Sequence, residues 1–314
     1  MSPSLGLNGV WAVVVNWNGG QHNLRCLRAA AAAGIAPERT LLVDNGSGDG
    51  SAELVADQFP TVNILRNPSN LGFGEGANRG ARQALEAGAG AVLFLNNDLE
   101  LDAAAAAQLV EELNAHPRTG ACGPRVLHPG EPTRVWAAGG RIDNRQNIST
   151  LLGFGQADGV PWTERREVDY VVGAALCVRA VALAQVGLFR ADYFAYMEDV
   201  ELGLRLKQAG WACVSVGSAR AIHHPSASTG GGYNGRRKYM QALNSVRFLR
   251  QYGGTREWLR FWWFDVASLG PALVLGGLRG RGRAVLAKAL GLWHGLNGRR
   301  VRAELLEPGG LWLW

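Results

Sequence analysis

The chain has 314 residues, of which 47% are hydrophobic and 18% are charged, a balance that excludes an intrinsically disordered protein and allows a sizeable buried core. The formal net charge of +6 is uneven, because residues 1–229 carry 18 Lys and Arg against 22 Asp and Glu, which leaves residues 230–314 strongly basic. The cysteines have no paired spacing, which excludes a zinc ribbon or a dense disulfide framework and predicts buried free thiols in a reducing compartment: Cys26, Cys122, Cys177 and Cys213.

The first half of the chain alternates runs of aliphatic and β-branched residues with helical patterns. The N-terminal segment 1–9 is short, polar and uncharged, so no secretory signal is expected. The predicted strands are 10–15, 40–43, 62–65 and 91–95, and the predicted helices are 23–33, 51–58, 77–87 and 103–115. Asp102 is expected to cap the last of these helices. The alternation predicts an α/β fold with a mostly parallel sheet between helices.

The second half of the chain is less regular. Residues 124–169 hold many Gly, Pro and Trp residues and are predicted to form loops and short strands. Periodicity then returns in a predicted strand, helix and strand: 170–178, 199–208 and 212–216.

A polar or glycine-rich segment follows each of the first four predicted strands: Asn16-Trp17-Asn18-Gly19, 44–51, 70–80 and Asn96-Asn97-Asp98. Because ligands of such sheets bind at the carboxyl ends of the strands, we expect these segments to converge on one site. Asp44 can accept a hydrogen bond from the N–H of a pyrimidine base, with Asn16 nearby. Asn45 and Ser47 can hold this loop or contact a ribose.

Two further features of this edge suit a nucleoside diphosphate. Gly72, Gly74 and Gly76 would let the backbone approach a diphosphate, and the helix that follows offers its N-terminal N–H groups. Asp98 supplies a hard carboxylate oxygen that could hold Mg²⁺ or Mn²⁺ bridging the diphosphate. Such an ion would neutralise charge on a leaving nucleoside diphosphate.

An alternative interpretation of the same glycines is a dinucleotide-binding fingerprint in an NAD- or FAD-dependent oxidoreductase. Residues 72–77 fit the pattern G-x-G-x-x-(G/A), and Asp98 lies 21 residues after Ala77. Against this interpretation, residues 67–71 separate the predicted strand from the first glycine. The Asp44 loop would also have no role.

A second polar cluster lies where the predicted helix 199–208 begins. The helix dipole favours acidic side chains at this point by about 0.3–1 kcal/mol each, so Glu198 and Asp199 have a purely structural interpretation. The functional interpretation is a general base for an acceptor hydroxyl, worth about 10²–10⁴-fold in rate. His223 and His224 suit core packing, acid–base chemistry or metal ligation, and ligation would complement Asp98, which cannot hold a divalent ion unaided.

Several motifs occur in a fixed order between residues 10 and 250: Val14-Val15-Asn16-Trp17-Asn18-Gly19, Val43-Asp44-Asn45-Gly46-Ser47, Asn70-Leu71-Gly72-Phe73, Gly76-Ala77-Asn78-Arg79-Gly80, Leu95-Asn96-Asn97-Asp98, Gly187-Leu188-Phe189 and 196–202. As a set they resemble the family-two glycosyltransferases of the GT-A fold, in the rhamnosyltransferase-like branch of that family. The D-x-D motif of the family is Asn96-Asn97-Asp98 here, with one acid.

The resemblance implies an inverting, single-displacement transfer of a sugar, with dTDP-L-rhamnose as the donor of the branch. The acceptor would be a hydroxyl of a glycan or of a polyprenyl-diphosphate-linked saccharide in cell-surface polysaccharide synthesis. Together with the change in charge at residue 230, it leads us to expect that residues 1–229 form the catalytic domain, with a nucleotide-sugar-binding half at 1–120 and an acceptor/catalytic half at 121–229. A catalytically inactive sugar-nucleotide-binding protein is a further alternative, and an oligomer is possible.

The resemblance also assigns roles to single residues. Asp199 would be the base and Glu198 would orient the metal or the acceptor. Asp98 and His223 would hold the metal. The implied nucleotide-sugar-binding residues are Asn16, Asn18, Asp44, Asn45, Ser47, Gly72, Phe73, Gly76, Asn78, Asn96 and Asn97.

Residues 230–314 are predicted to form a basic and aromatic helical extension. Six of the eleven tryptophans lie in the last 57 residues: Trp258, Trp262, Trp263, Trp293, Trp312 and Trp314. The apolar run 258–278 is interrupted by Arg260, Asp265 and Pro271, so no clean membrane span is expected. Aromatic and basic side chains on helices suit a membrane interface, and we expect a cytoplasmic protein bound peripherally to the inner face of the cell membrane. The alternative is a helical cap on the catalytic domain, and no nucleic-acid-recognition module is visible.

Overall fold

The computed structural model describes residues 4–224, 234–307 and 310–313. The serine-containing segment that follows the histidine pair, 225–228, and Trp314 lie outside the described residues. The predicted alternation of the first half is confirmed. Its elements are β1 (Val10–Asn16), α1 (Gln21–Ala32), β2 (Thr40–Asp44), α2 (Ser51–Gln58), β3 (Asn63–Arg66), α3 (Gly72–Glu86), β4 (Ala91–Asn96), the short β5 (Leu99–Leu101) and α4 (Ala105–Ala115).

Helix α3 begins at Gly72, five residues before the predicted start, so the glycines at 72, 74 and 76 lie in the helix. The reason is close packing of α3 on the sheet. A Cβ atom on Gly80 would lie 2.5 Å from Cγ1 of Val13, and one on Gly76 would lie 3.0 Å from Nδ2 of Asn45. Glycine therefore allows the helix axis to approach β1 and β2 more closely than alanine would.

The prediction that Asp102 caps α4 is wrong. The N-cap residue is Ala104, and no side chain caps this helix. The Asp102 carboxylate instead lies 3.7 Å from the guanidinium of Arg220 on the neighbouring strand. The backbone oxygen of Asp102 accepts the N–H of Ala105, which satisfies one of the free donors at the start of the helix.

The second half contains the short strands that were predicted for its irregular part. Its elements are β6 (Thr119–Leu127), β7 (Val135–Ala137), β8 (Gly140–Ile142), β9 (Ser149–Leu151), β10 (Arg166–Val168), β11 (Ala175–Arg179), α5 (Ala180–Val186), α6 (Glu198–Gln208) and β12 (Ala212–His223). Strand β11 starts five residues later than predicted, because the backbone at Gly173 and Ala174 bonds to Asp199 and Asn96 instead of to a strand. Strand β12 continues seven residues beyond the predicted end, to His223.

Ten of the strands in the described part of the chain form one sheet in the order β10-β12-β6-β11-β4-β1-β2-β3, with β5 beside β12 and β7 beside β6. Strands β3, β2, β1 and β4 are parallel, as are β6 and β12, whereas β11 runs antiparallel between β4 and β6. Strand β5 pairs antiparallel with the end of β12, so that Leu99 lies opposite His223. The chain just after β4 and the end of β12 are thereby brought together.

The sheet is apolar on both faces. Along β1, Ala12 and Val14 pack in one core cluster and Val13 packs in the other, which is the alternation expected for a strand covered by helices on both sides. The four cysteines are buried and free, as predicted.

The C-terminal part is helical: α7 (Gly235–Tyr252), α8 (Thr255–Phe261), a π-helical segment (Trp262–Ala267), α9 (Leu269–Leu278) and α10 (Gly282–Leu296). Helix α7 packs on the main core through Val246, Phe248 and Leu249, and it packs closely on α10 at Gly291 and Gly295. Residues 255–278 form one continuous helix that is long and apolar enough to cross a membrane, judged by length and composition, and most of it is exposed.

Candidate active site

A cavity of about 640 Å³ opens at the carboxyl edge of the parallel strands. Its wall combines strand ends, the turn before α6 and the first turns of α7. The predicted site residues in this wall are Asn45, Gly72, Phe73, Asn96, Asn97, Asp98, Glu198, Asp199 and His223. The remaining predicted site residues are not part of the wall: Asn16, Asn18, Asp44, Ser47, Gly76 and Asn78.

The fully buried Asn16 at the end of β1 joins the loops below the cavity. Its Nδ2 donates to Oδ1 of Asp44 and to Oγ of Ser51, each at 2.9 Å. Its Oδ1 accepts from Nδ2 of Asn23 at 2.8 Å and from the N–H of Gly19 at 3.1 Å. The amide group of Asn16 is therefore used inside the protein, where it positions Asp44.

The loops after β1 and β2 are joined by hydrogen bonds. The N–H of Asn18 donates to Oγ of Ser47, and Oδ1 of Asn18 accepts from the N–H of Gly48, both at 2.9 Å. The N–H of Gly20 donates to Oδ2 of Asp49 at 3.0 Å. These contacts fix the two loops relative to each other, so that any base or ribose bound above them would meet a preformed surface.

Two further asparagines connect α3 to its surroundings. Asn45, in the cavity wall, donates from Nδ2 to the backbone oxygen of Gly72 at 2.9 Å and accepts from Asn67 at 2.6 Å. Asn78 bonds both backbone groups of Phe189, accepting at 3.0 Å and donating at 2.8 Å. Asn78 therefore ties α3 to the Gly187–Phe189 motif of the sequence analysis.

The requirement for glycine at position 72 is explained by the turn that precedes α6. Its φ is +83°, and a Cβ atom there would lie 2.5 Å from the backbone oxygen of Phe194. The structure thus accounts for this glycine through the close approach of the turn before α6.

Asp98 and His223 meet at the far side of the cavity. Oδ1 of Asp98 lies 3.1 Å from Nε2 of His223, and the His223 ring stacks obliquely on Trp136 with ring centroids 4.5 Å apart. The β5–β12 pairing brings them together, since the N–H of His224 also donates to the backbone oxygen of Asp98 at 2.8 Å. Nδ1 of His223 is buried and has no hydrogen-bond partner among the described residues.

The Asp98–His223 pair fits a divalent ion that takes few protein ligands. Among residues 4–224, 234–307 and 310–313, no group of three or more His, Cys, Asp and Glu side chains is placed to hold a metal. Mg²⁺ in particular binds through one or two carboxylates together with water and substrate phosphates. The donor set here, one carboxylate and one imidazole facing a cavity, is of this incomplete kind.

Glu198 and Asp199 open α6 in different surroundings. Oδ2 of Asp199 accepts the N–H of Gly173 and Oδ1 accepts the N–H of Val200, both at 2.8 Å. Oε2 of Glu198 is buried and has no hydrogen-bond partner among the described residues. Burial, followed by the charge of Asp199, raises the pKa of Glu198 to about 8. Burial also raises the pKa of Asp199, but its backbone hydrogen bonds oppose this shift.

The turn that presents this pair has an unusual backbone. Phe194, Tyr196 and Met197 all have positive φ, at +63°, +69° and +77°. The N–H of Ala195 donates to the backbone oxygen of Tyr193 at 2.8 Å, so Phe194 is the centre of a γ-turn. Each such conformation in a non-glycine residue costs on the order of 1–3 kcal/mol and persists only where neighbouring structure holds it.

Asn244 of α7 holds this turn, and the sequence analysis missed it. Its Nδ2 donates to the backbone oxygens of Tyr193, Ala195 and Tyr196, at 2.7, 3.0 and 2.9 Å. Three carbonyl groups require a donor, so the orientation of the amide is fixed. The signal in the sequence is helical spacing, because Asn244 lies four residues from both Met240 and Phe248, which are buried.

Two family models match the chain: the one described as Glycosyl transferase family 2 over residues 11–172, and the one described as Glycosyl transferase family group 2 over residues 136–295. The N-acetylglucosaminyl-diphospho-decaprenol L-rhamnosyltransferase of Mycobacterium tuberculosis is 34% identical over 239 residues, which cover 69% of this chain and 76% of that protein. The O-antigen biosynthesis protein RfbC of Myxococcus xanthus is 30% identical over 179 residues, 54% of this chain and 13% of that protein.

Two solved structures share the fold. GalNAc-T7 with UDP, GalNAc and Mn²⁺ superposes with a TM-score of 0.56 at 14% identity, over 80% of this chain and about half of that one, 53%. The mannosyltransferase PcManGT from Pyrobaculum calidifontis, in complex with GDP-Man and Mn²⁺, gives a TM-score of 0.51 at 13% identity, over 91% and 86% of the two chains. At these identities the likeness concerns the fold, and it confirms the fold class predicted from the sequence.

Proposed function

The chain belongs to glycosyl transferase family 2, and from this premise we propose that it is an inverting glycosyltransferase acting on a lipid-linked acceptor. The donor would be dTDP-L-rhamnose and the acceptor a hydroxyl of a polyprenyl-diphosphate-linked saccharide. The name of the mycobacterial relative supports L-rhamnose as the transferred sugar and a lipid-linked saccharide as the acceptor, and the dTDP carrier follows from the resemblance to the rhamnosyltransferase-like branch. The observation that carries the mechanism is the presence of Glu198, Asp199, Asp98 and His223 in one cavity.

Asp199 is the base of the proposed reaction. Its two backbone hydrogen bonds orient the carboxylate and favour its ionised form. As the acceptor hydroxyl oxygen bonds to the anomeric carbon, Asp199 takes the hydroxyl proton. The bond from the anomeric carbon to the diphosphate oxygen breaks, and its electron pair leaves with the nucleoside diphosphate. A single displacement of this kind inverts the configuration of the sugar.

Glu198 stays protonated near neutral pH, because its pKa is raised by burial and by the charge of Asp199. A protonated carboxyl group does not compete with Asp199 for the acceptor proton, and it is a poor ligand for a cation. It can donate a hydrogen bond to an acceptor oxygen. We therefore assign Glu198 to orienting the acceptor.

Asp98 and His223 would hold Mg²⁺ or Mn²⁺, which when bound would neutralise charge on the departing diphosphate. Asn45, Asn96 and Asn97 line the adjoining wall. The amides of Asn45 and Asn97 bond within the protein and shape this wall, whereas Asn96 suits direct contact with the polar part of the donor. Asp44, positioned by Asn16, is the proposed partner of the pyrimidine base.

The test is hydrolysis of a panel of labelled nucleotide sugars, which requires no acceptor. We expect metal-dependent hydrolysis of dTDP-rhamnose, and loss of its metal-dependent part in Asp98→Ala. With a prenyl-diphosphate-GlcNAc acceptor, Asp199→Asn should lower kcat by about 10²–10⁴-fold, whereas the exposed Asp57→Asn should not. Absence of both hydrolysis and thermal stabilisation by every pyrimidine nucleotide would falsify the proposal.

The same assays separate the alternatives from the sequence analysis. An inactive sugar-nucleotide-binding protein would be stabilised by donor but would turn over none, and it would be indifferent to Asp199→Asn. The oxidoreductase alternative required a glycine loop at the end of a strand, whereas these glycines lie inside α3 and family membership favours the transferase. The oxidoreductase alternative predicts thermal stabilisation of the protein by NAD or FAD in the absence of metal.

We also propose that the helix 255–278 binds the protein peripherally to the cytoplasmic face of the membrane. Its outward side chains include Trp263, 71% exposed, and Leu278, 82% exposed. The acid within the apolar run, Asp265, is buried and ion-paired to Lys288 of α10 at 2.7 Å, so it leaves the outer surface apolar. Exposed aromatic and aliphatic side chains flanked by arginines match a membrane interface.

A further inference from the structure

We propose that Arg236, Arg237 and Lys238, in the first turn of α7, form a binding site for the diphosphate of the acceptor. The inference rests on the proposed function and assigns one part of its substrate to named side chains. All three side chains line the cavity that also holds Asp199. In the sequence, these three residues belong to the basic C-terminal extension 230–314.

The three cations lie where the fold itself gives them little stabilisation. The N-terminus of a helix carries a partial positive charge and disfavours a cation by about 0.3–1 kcal/mol. The first turn of α7 has no acidic residue, and Asn234 caps it by accepting the N–H of Arg237 at 3.2 Å. A cluster that costs stability and faces a cavity suits an anionic ligand.

In the described part of the chain, no acidic side chain compensates the charges of the two arginines of the cluster. Within the described residues, Arg236 and Arg237 make no ion pair, and Nε of Arg236 is buried without a hydrogen-bond partner. Burial and the charges of Lys288 and Arg237 lower the pKa of Lys238 to about 8. Asp265, which opposes this shift, is engaged by Lys288 at 2.7 Å. A bound diphosphate would offset the repulsion between these positive charges.

The position of Arg237 indicates which diphosphate this is. Its guanidinium lies over the ring of Tyr196, 5.9 Å from the centroid, and Tyr196 stands three residues before Asp199. An anion held there is beside the base, where the acceptor must place its hydroxyl. The donor diphosphate has its own partners at Asp98 and His223, which need a metal ion, whereas the α7 cations can bind a phosphate directly.

The chain beyond α7 continues this path. Asp265 of the exposed apolar helix 255–278 is one of the charges that act on Lys238, so this helix passes near the cluster and gives a polyprenyl chain a surface to run along toward the membrane. A diphosphate anchored at the cations and a lipid lying on this helix would leave the attached sugar next to Asp199.

The test measures KM for two acceptors, prenyl-diphosphate-GlcNAc and an alkyl-GlcNAc without phosphate, in Arg236→Gln and Arg237→Gln. We expect each substitution to raise the KM of the diphosphate acceptor by about tenfold or more, since a charge-assisted hydrogen bond contributes that much. The KM of the alkyl acceptor and of the donor should not change. Inorganic diphosphate should inhibit the wild type in competition with the acceptor, and less so the variants.

Arg118→Gln is the matched control, because Arg118 is exposed and lies outside the cavity. Thermal stabilisation by dTDP, equal to that of the wild type, verifies that each variant is folded. A raised donor KM with an unchanged acceptor KM would overturn the proposal and assign the cations to the donor. Unchanged KM values for both substrates would overturn it as well. A wild-type protein without donor hydrolysis would instead refute the proposed function, which is a different result.

Discussion

At the scale of single residues, Glu198 and Asp199 are adjacent carboxyl groups with different surroundings. Two backbone N–H groups hold Asp199, whereas Oε2 of Glu198 has no hydrogen-bond partner among the described residues. Two negative charges so close together in a buried place are costly, and one proton shared between them relieves the cost. Backbone contacts thus distinguish Asp199, the proposed base, from its protonated neighbour Glu198.

The raised pKa of Glu198 predicts how stability depends on pH. The folded protein holds this proton up to about pH 8, whereas the unfolded chain releases it near 4.5. The contribution to stability is therefore complete below about 4.5 and is lost as pH rises toward 8. Glu198→Gln removes this titration, so its melting temperature should rise relative to the wild type as pH increases through that window. The exposed Glu111→Gln should show no such trend.

Substitution of Asn244 is expected to lower the catalytic rate more than it lowers the binding of the donor. Asn244→Asp keeps the shape of the side chain but replaces the donor with an acceptor facing three carbonyl oxygens. We expect kcat to fall by about 10²-fold, because small displacements of a catalytic group have effects of that size. Thermal stabilisation by dTDP should persist. Asn297→Asp, which removes a similar amide contact at an exposed site, is the control, and equal kcat losses in both variants would contradict a positioning role.

The candidate reactive residues, which the structure brings into one cavity, could be singled out from the sequence, whereas the residue that holds their turn could not. Asp98, Glu198, Asp199 and His223 have acidic or basic side chains at element ends, which is a local signal. Asn244 acts on backbone carbonyls about fifty positions away, and no local pattern contains that contact. Asn16 shows the converse, since its place at a strand end suggested ligand contact but its amide is used by Asp44 and Asn23.

At the scale of elements, α3 depends on glycine for its distance from the sheet. Gly80→Ala would place a Cβ 2.5 Å from Val13, so β1 or α3 must move. We expect a loss of about 1–3 kcal/mol in the free energy of unfolding, despite the better helix propensity of alanine. Gly277→Ala in α9 meets no atom within 4 Å and should be neutral or slightly stabilising. Chemical denaturation of both variants checks the contrast.

The polar residues and the proline in the apolar run 258–278 argued against a clean membrane span, but residues 255–278 form one continuous helix. Asp265 is turned toward Lys288 and the N–H of Asn147, and its charge is therefore neutralised within the protein. Pro271 follows the π-helical segment Trp262–Ala267, where the regular α-helical hydrogen bonding is already interrupted, so its missing N–H has little effect. Composition alone does not reveal the direction of a side chain.

Helix α7 contributes residues to the cavity wall, and we propose that the division between the catalytic and membrane-binding parts falls between α7 and α8.

At the scale of the whole molecule, the basic end of the chain and its exposed apolar helix predict binding to anionic vesicles. The wild type should co-sediment with vesicles that contain anionic lipid, more weakly as salt is raised. Replacing Trp263 and Leu278 by Gln should abolish co-sedimentation and leave donor hydrolysis unchanged. Val181→Gln changes an equally exposed apolar residue on α5 and should have no effect. A wild type that stays in the supernatant at every salt concentration would exclude the membrane proposal.

The attachment of the turn at 193–197 to Asn244 also sets an order of events during synthesis of the protein. Residues 1–224, with the sheet and both carboxyl groups, leave the ribosome before α7 does. The hydrogen bonds from Asn244 to this turn form only after α7 has emerged and docked. A growing chain therefore carries an incomplete candidate site until α7, which precedes the exposed apolar helix 255–278, is in place.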